Sequence, residues 1–282
     1  MSLNGALQIG QSALFASSAA LQVAGNNMAN AATQGFHRRT ISLAPLGSGG
    51  VAGFGQGVQI LNVRREVDIA LQARYRDSLS QEMRAAMDFR YASAIETLQN
   101  ELSENDVSSL LSQFFNSFSE LANNPSDHAM RAVVVQEGVS LAARLSSLRS
   151  DYNTVLQEVN QSLSISVSAA NDMLEQIAQI NQQISTQEGA GSDATALRDQ
   201  RDTVIDELAQ LVDVSVIEKA SGSVDVLVGS IPVVIGSESR GLELRQTNEG
   251  NTTHMSLRVG ADGTSLNVNG GAIGGLLTQR AE

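Results

Sequence analysis

The stretch RDQRD at residues 198–202 sets two carboxylates, Asp199 and Asp202, three positions apart, which puts them on one face of a helix. A carboxylate pair is the first chemistry this spacing suggests. Arg198 and Arg201 are interleaved with the two acids, however, and the expected arrangement is a solvated or inter-helix salt network. His37, His128 and His254 fall in different elements with no acid or second His at ligand spacing, so each reads as a surface residue rather than a metal ligand or general base. With no Cys, thiolate nucleophiles, disulfides and Cys-based metal sites are excluded. No GxSxG elbow or SxxK pair ties a Ser to a base. GFGQG at 53–57 has the Gly content of a tight turn but neither the GxGxxG register nor the strand-then-helix setting of a phosphate cradle. The tripeptides NTT (251–253) and NQS (160–162) match the glycosylation acceptor pattern, which chance often produces. The expectation is a protein with no catalytic constellation, no cofactor and no metal.

A second polar cluster is of another kind. NNMANAATQGF, residues 26–36, closes an apolar helical stretch with small amides, a Thr, a Gly and one aromatic, but no acid, Cys or His. Asn26, Asn27 and Asn30 can bond backbone groups freed where a helix ends, with Thr33 beside them. Gly35 permits a positive φ, and Phe36 can anchor the turn apolarly. The helix before it carries Leu7, Leu14, Leu21 and Met28 one heptad apart, flanked by Ala6, Ala13 and Ala20, a narrow seam suited to a partner helix.

The elements that must position these groups follow from periodicity and punctuation. Residues 43–57 hold so many Gly that a loop is expected, followed by a short strand at VQILNV. Val67, Leu71, Tyr75, Leu79 and Met83 give the next helix its face; Asn105 or Asp106 then caps a shorter helix that ends before Pro125. Ser126 is the expected cap of a long helix reaching about Gln187. Its second half carries Leu156, Leu163, Ala170, Ile177 and Ile184 at heptad position a, and Val159, Met173 and Ile180 at position d, with Ser166 the polar exception. This stripe lies either inside a globular bundle or against another chain. Asp193 is the expected cap of a last helix packing Leu197, Val204, Leu208 and Leu211 back on it. After Val212 the period becomes two, and 212–270 reads as a small antiparallel β subdomain. The expected fold is therefore mainly α: an N-terminal coiled-coil-type helix with its Asn-rich turn (1–35), a Gly-rich loop with a short strand (36–65), a long antiparallel helical bundle (66–211), the β subdomain (212–270), and at 271–282 the start of a truncated helical segment.

Composition agrees with a helical, non-enzymatic chain. The 282 residues include three Pro, no Trp and 4% aromatics, a composition suited to long helices meeting through small side chains. The net charge of -12 argues against nucleic-acid or anionic-membrane partners. That charge is split: residues 1–90 carry 8 Arg against 5 acids, the remainder 10 basic and 25 acidic groups, so the acidic part is expected to face solvent. The stretch 3–24 has no basic leader and contains Gln8, Gln11 and Gln22, so neither a cleaved signal peptide nor a membrane span is expected.

LFASSAALQVAGNNMANAATQGFHRRTISL (14–43) resembles the N-terminal signature of bacterial flagellar axial proteins, the rod, hook and hook-associated family. Residues 55–78, 114–145 and 180–216 look like successive parts of the hook-associated members found at the hook–filament junction, so the resemblance spans most of 3–235 in order. It implies a structural subunit in a helical layer of its own copies, mating hook protein on one side and a second junction protein and filament on the other. It also implies an extracellular position reached by flagellar type III export without signal cleavage. In such an assembly the 3–28 helix would pair with a helix from the C-terminal end in the inner tube, the 66–211 helices would form the next layer outward, and the β subdomain would project outside. Family members run well beyond this length, which implies a fragment or truncated product, with the export chaperone on the missing C-terminal part and the 3–28 seam frayed or self-associating in isolation. A distal rod or hook protein is the nearer alternative, although the long 127–211 hairpin with LRDQRD counts against it. A coiled-coil surface adhesin with the β subdomain as its tip is the more distant one, and would need an anchor or a cleaved signal.

Overall fold

The computed structural model describes residues 3–47, 56–99, 106–249 and 252–281. Helix α1 (Leu3–Ala29) runs into a hairpin of β1 (Arg39–Pro45) and β2 (Val58–Arg65), followed by α2 (Ile69–Gln99), α3 (Val107–Asn123), α4 (His128–Gly189) and α5 (Thr195–Leu211). The hairpin corrects the expectation of one strand in 36–65: β1 and β2 pair antiparallel from Arg39↔Arg65 to Pro45↔Val58, with a bulge between Ser42 and Leu43. RTISLAP has only two large apolar residues before its Pro, too short an alternation to read as a strand. Residues 48–55, with the start of GFGQG, and Asn105 lie outside the described residues, as does Asn251 of the NTT tripeptide.

Helix α4 has 62 residues, about 93 Å at 1.5 Å per residue. Its cap is Asp127 rather than Ser126: the Asp127 carboxylate accepts from the Ala129 and Met130 amides, matching the anion preference of a helix N-terminus. Asp106 caps α3 by accepting from the Ser109 amide, which holds its carboxyl below the usual range. In the second half of α4, Leu163, Ala170, Ile177 and Ile184 are fully buried and Val159 and Ile180 nearly so. They pack with Val204, Ile205 and Leu208 of α5 and with residues of the strands that follow, so this heptad stripe is covered within the chain. Leu156, where the stripe begins, is exposed.

The segment read as one β subdomain forms two antiparallel sheets. One is β3 (Val214–Glu218), β4 (Val224–Val228), β5 (Ile231–Ile235) and β6 (Glu238–Ser239); the other is β7 (Leu242–Glu249), β8 (Thr252–Val259) and β9 (Ser265–Leu266). Two Asn on α4 clamp them, one sheet each. Asn171 bonds both backbone groups of Leu242, at 2.9 and 2.6 Å, while Asn181 donates to Val224 O and Gly236 O at 2.8 and 2.7 Å. Helix α6 (Gly271–Ala281), expected as the start of a truncated segment, is part of the core: Gly271 through Leu276 are all buried. A Cβ on Gly275 would come within 2.9 Å of Met87 Cβ and 3.0 Å of Arg84 O, so the missing side chain is what lets α6 press onto α2.

Candidate functional site

The Asn-rich turn is where α1 is fastened to the rest of the chain. Asn30 donates from both its backbone N (3.0 Å) and its Nδ2 (2.9 Å) to Asn26 O, and Thr33 Oγ1 donates to Asn30 Oδ1 at 3.3 Å. The Asn26 side chain itself is exposed, so it contributes through its carbonyl. Asn27 reaches across instead of capping: its Nδ2 donates to Arg39 O (2.8 Å) and its Oδ1 accepts from Arg39 N (2.9 Å), a two-point clasp that starts β1. Gly35 sits at φ +75°, and a Cβ there would collide with Thr203 Oγ1 on α5. Phe36 is half-buried beneath the Arg39 guanidinium, 5.1 Å from ring centroid to Cζ.

Beside this turn, α5 presents Asp199, Asp202 and Asp206 at helical spacing, and cations from three other elements converge on them. His37 Nδ1 lies 2.9 Å from Asp199 Oδ1, and Arg39 Nη2 donates to Asp199 Oδ2 at 3.1 Å. Arg65 Nη1 bridges Asp199 Oδ1 and Asp202 Oδ2, both at 2.8 Å. Arg76 on α2 donates from Nε to Asp206 Oδ1 at 2.6 Å, with Nη2 3.5 Å from Asp202 Oδ1. The side chains of Asp199 and Asp202 are only 11% and 8% exposed, so these two acids are held between elements rather than in solvent. Burial pushes the Asp202 carboxyl up, but the Arg65 charge and hydrogen bond, with Arg76 and Arg201, outweigh it and leave the group below its usual range. At Asp206 burial wins over the Arg76 bond and the carboxyl is raised.

The two arginines of RDQRD do not share these acids. Arg198 pairs with Glu188 (Nε–Oε1, 2.7 Å) and Glu218, tying α5 to the end of α4 and to β3, and its pKa is raised chiefly by the Glu188 hydrogen bond. Arg201 donates to Asn181 Oδ1 (3.1 Å) and Gly222 O (2.8 Å) and is 2% exposed; burial pushes its pKa down to about 10. Asp193 does not cap α5, whose N-cap is Ala194 with no side-chain bond; its carboxylate accepts from Val63 N at 2.6 Å and pins β2 to the α4–α5 loop. His128 and His254 are exposed, whereas His37 is not the surface residue expected, because its acid partner is 162 positions away. Among the described residues no group of three or more His, Cys, Asp or Glu could hold a metal ion, and no helix is long and apolar enough to cross a membrane.

Helix α1 itself buries only Ala16 and packs mainly on β1 and β2, where Val58 N donates to Ser12 Oγ at 3.2 Å. Its seam is open: Leu7, Leu14, Leu21 and Met28 are 71%, 74%, 74% and 81% exposed. Four large apolar side chains in line on one helix form the kind of patch that marks an association surface.

Residues 92–282 match the family model described as the flagellar hook-associated protein FlgK helical domain. The chain belongs to the FlgK family. Flagellar hook-associated protein 1 of Bacillus subtilis is 32% identical over 225 residues, 77% of this chain and 44% of the relative, and that of Escherichia coli is 29% identical over 285 residues, 96% and 51%. The flagellar hook junction protein FlgK from Burkholderia pseudomallei shares the fold with a TM-score of 0.63 at 24% identity, over 74% of this chain and 39% of that one. The chain thus spans about half the length of the curated relatives it matches. In this FlgK-family chain the positioning residues that sequence reasoning missed are His37, Arg39, Arg65, Arg76, Asp206 and Glu188. All but Glu188 meet partners more than 100 positions away. The one advance signal was the charge split between the Arg-rich first 90 residues and the acidic remainder.

Proposed function

We propose that this chain is a structural, non-enzymatic component of the bacterial flagellum that links hook to filament at their junction. The observation that carries this reading is the open seam of α1, Leu7, Leu14, Leu21 and Met28, on a chain of the FlgK family. A helix that leaves four large apolar side chains in water is incomplete alone, and association supplies the missing face. Asn26, Asn27, Asn30, Thr33, Gly35 and Phe36 serve as the assembly turn: they fix the direction in which α1 leaves the helical body. The Asp199–Asp202 cluster makes that joint stiff, so that force on α1 passes into α5 and the bundle. Arg198 and Arg201 extend the stiffening to α4 and the first sheet.

In this reading residues 1–35 form an inner layer, 36–65 a connecting arm, 66–211 a helical middle domain, 212–270 an outer β part, and 271–282 the start of the next helical segment. The partners are other copies in a helical layer, hook protein below, and a second junction protein with filament above. A chaperone recognises the C-terminal part of the whole protein during export through the type III apparatus without signal cleavage. The names of the relatives, hook-associated protein 1 and hook junction protein, support the placement. The test is an in-frame deletion in the source bacterium: electron microscopy is expected to find hooks without attached filaments, restored by the gene in trans. Normal filaments on deleted cells would overturn the proposal.

A further inference from the structure

Helix α3 packs against the first part of α4, and this hairpin carries an open apolar face. Phe114 is its floor: a Cβ on Gly138 would stand 3.2 Å from the Phe114 ring, so the two helices meet closely there. Leu111, Phe115 and Phe118 of α3 and Val135 and Val139 of α4 lie one position or one turn from the residues that meet between the helices, and all five are 41% to 66% exposed. Right-handed helices running antiparallel carry such residues to the same side, so the five share one face. Phe115 and Phe118 meet Phe114 edge-on at 5.7 and 5.0 Å between ring centroids, which holds their rings in set orientations. The residues next to them are Ser112, Asn116, Ser119 and Gln136, while Glu120, Glu137 and Arg144 fall on the opposite side by helical position. An apolar, aromatic centre inside an uncharged polar rim has the make-up of a protein interface, and a two-helix face of this kind accepts a third helix.

Helix α1 has the matching composition. From Leu3 to Ala29 it holds no charged residue, and its seam of Leu7, Leu14, Leu21 and Met28 is open. A chain of net charge -12 repels its own copies, and that repulsion is least where two uncharged faces meet. The α1 of the same chain is out of reach. Val139 lies about 75 Å along α4 from Gly189, whereas α1 is about 40 Å long and is fastened near that far end: Asp193 pins β2 to the α4–α5 loop, and Ser12 of α1 holds Val58 of β2. The groove therefore takes a helix from another molecule. Helix α3 is about 25 Å long, room for three seam residues set about 10.5 Å apart, and two helices about 10 Å apart bury on the order of 1,000 Å² with a third over both partners. That area is at the low end for specific association, so the contact is expected to be reversible.

Building on α1 as the association surface, we propose that its seam seats in the α3–α4 groove of a second copy. Each copy then gives a helix at one end and receives one at the other, so the contact is heterologous and passes from copy to copy. Because the chain has no Cys, single substitutions give an unambiguous cross-linking test in the full 282-residue protein. Leu14→Cys protein is mixed with an equal amount of Val139→Cys protein, oxidised with diamide, and the linked peptides are identified by mass spectrometry. Both positions are exposed, so neither change disturbs the core. A link between positions 14 and 139 is expected, about tenfold more abundant than when Glu120→Cys, on the other side of the hairpin, replaces Val139→Cys. Phe115→Gln combined with Val139→Gln is expected to weaken association in sedimentation velocity by about tenfold while leaving the unfolding midpoint in place. Links joining position 14 of two copies in excess of 14–139 links would overturn the groove and make the seams each other's partners, with the junction role untouched. Equal linking at 139 and 120, association indifferent to Phe115→Gln with Val139→Gln, or a chain that stays monomeric up to about 1 mM would overturn it as well. Conversely, 14–139 links from a protein whose deletion leaves filaments normal would sink the junction role and leave this contact standing.

Discussion

The joint between α1 and the helical body depends on a glycine, and a two-position cycle measures how much. Gly35 has φ +75°, and its missing side chain leaves room for Thr203 Oγ1, which donates to Asp199 O at 3.1 Å. Gly35→Ala introduces two separable costs. An L-residue in the left-handed region costs about 1–2 kcal/mol. Driving a methyl into Thr203 adds about 1–3 kcal/mol, because Thr is stiff at χ1 and rotation only exchanges hydroxyl for methyl. The expected total is about 2–5 kcal/mol. Thr203→Ala alone loses one hydrogen bond, about 0.5–1.5 kcal/mol, and opens the space. The double variant should therefore be less destabilised than the sum of the singles by about 1–3 kcal/mol. Native-state hydrogen exchange at Arg39, whose N–H is held by Asn27 Oδ1, and at Glu66, whose N–H is held by Arg38 O, reports the opening of this joint without requiring global unfolding. If Gly35→Ala leaves those amides as protected as in the parent, or if the two substitutions simply add, the packing of the turn against α5 is not what fixes the joint.

Asp202 gives a pH-dependent test. Its folded-state pKa is lowered, so its contribution is present above the ordinary value of about 3.9 and is lost as pH falls through the folded value. Asp202→Asn should cost about 1–3 kcal/mol at neutral pH, because Arg65 and Arg76 keep Asp199 and Asp206, and the difference should shrink below pH 4; urea unfolding at both pH values checks this. Asn181→Leu strands Val224 N, Val224 O, Gly236 O and an Arg201 N–H in a buried site, and is expected to cost about 3–6 kcal/mol by the same assay. Replacing Leu7, Leu14, Leu21 and Met28 together by Ser should leave the unfolding midpoint of the helical body within error of the parent while abolishing concentration-dependent association in sedimentation velocity.

What could be read in the sequence was what repeats locally. The α4 stripe from Leu163 to Ile184 and its cover of Val204 and Leu208 are visible because helical spacing records which side is buried. The change to period two after Val212 likewise announces strands, although nothing local says that they divide into two sheets. The clamps Asn171 and Asn181 were hidden, since a lone amide on an amphipathic helix has the same spacing whether it faces water or a strand edge. The joint was hidden for a different reason. Asp199 acquires its meaning from His37, Arg39 and Arg65, and a long-range ion pair leaves no periodicity. Asp193 resembled a cap by position, yet the Val63 amide claimed its carboxylate.

The central claim is one of location, and immunogold labelling of intact and sheared flagella from the source bacterium tests it most directly. Gold confined to the boundary between hook and filament, and lost from filaments sheared above it, is the result expected of a junction subunit. Gold distributed along the hook, along the filament or over the cell body would contradict it.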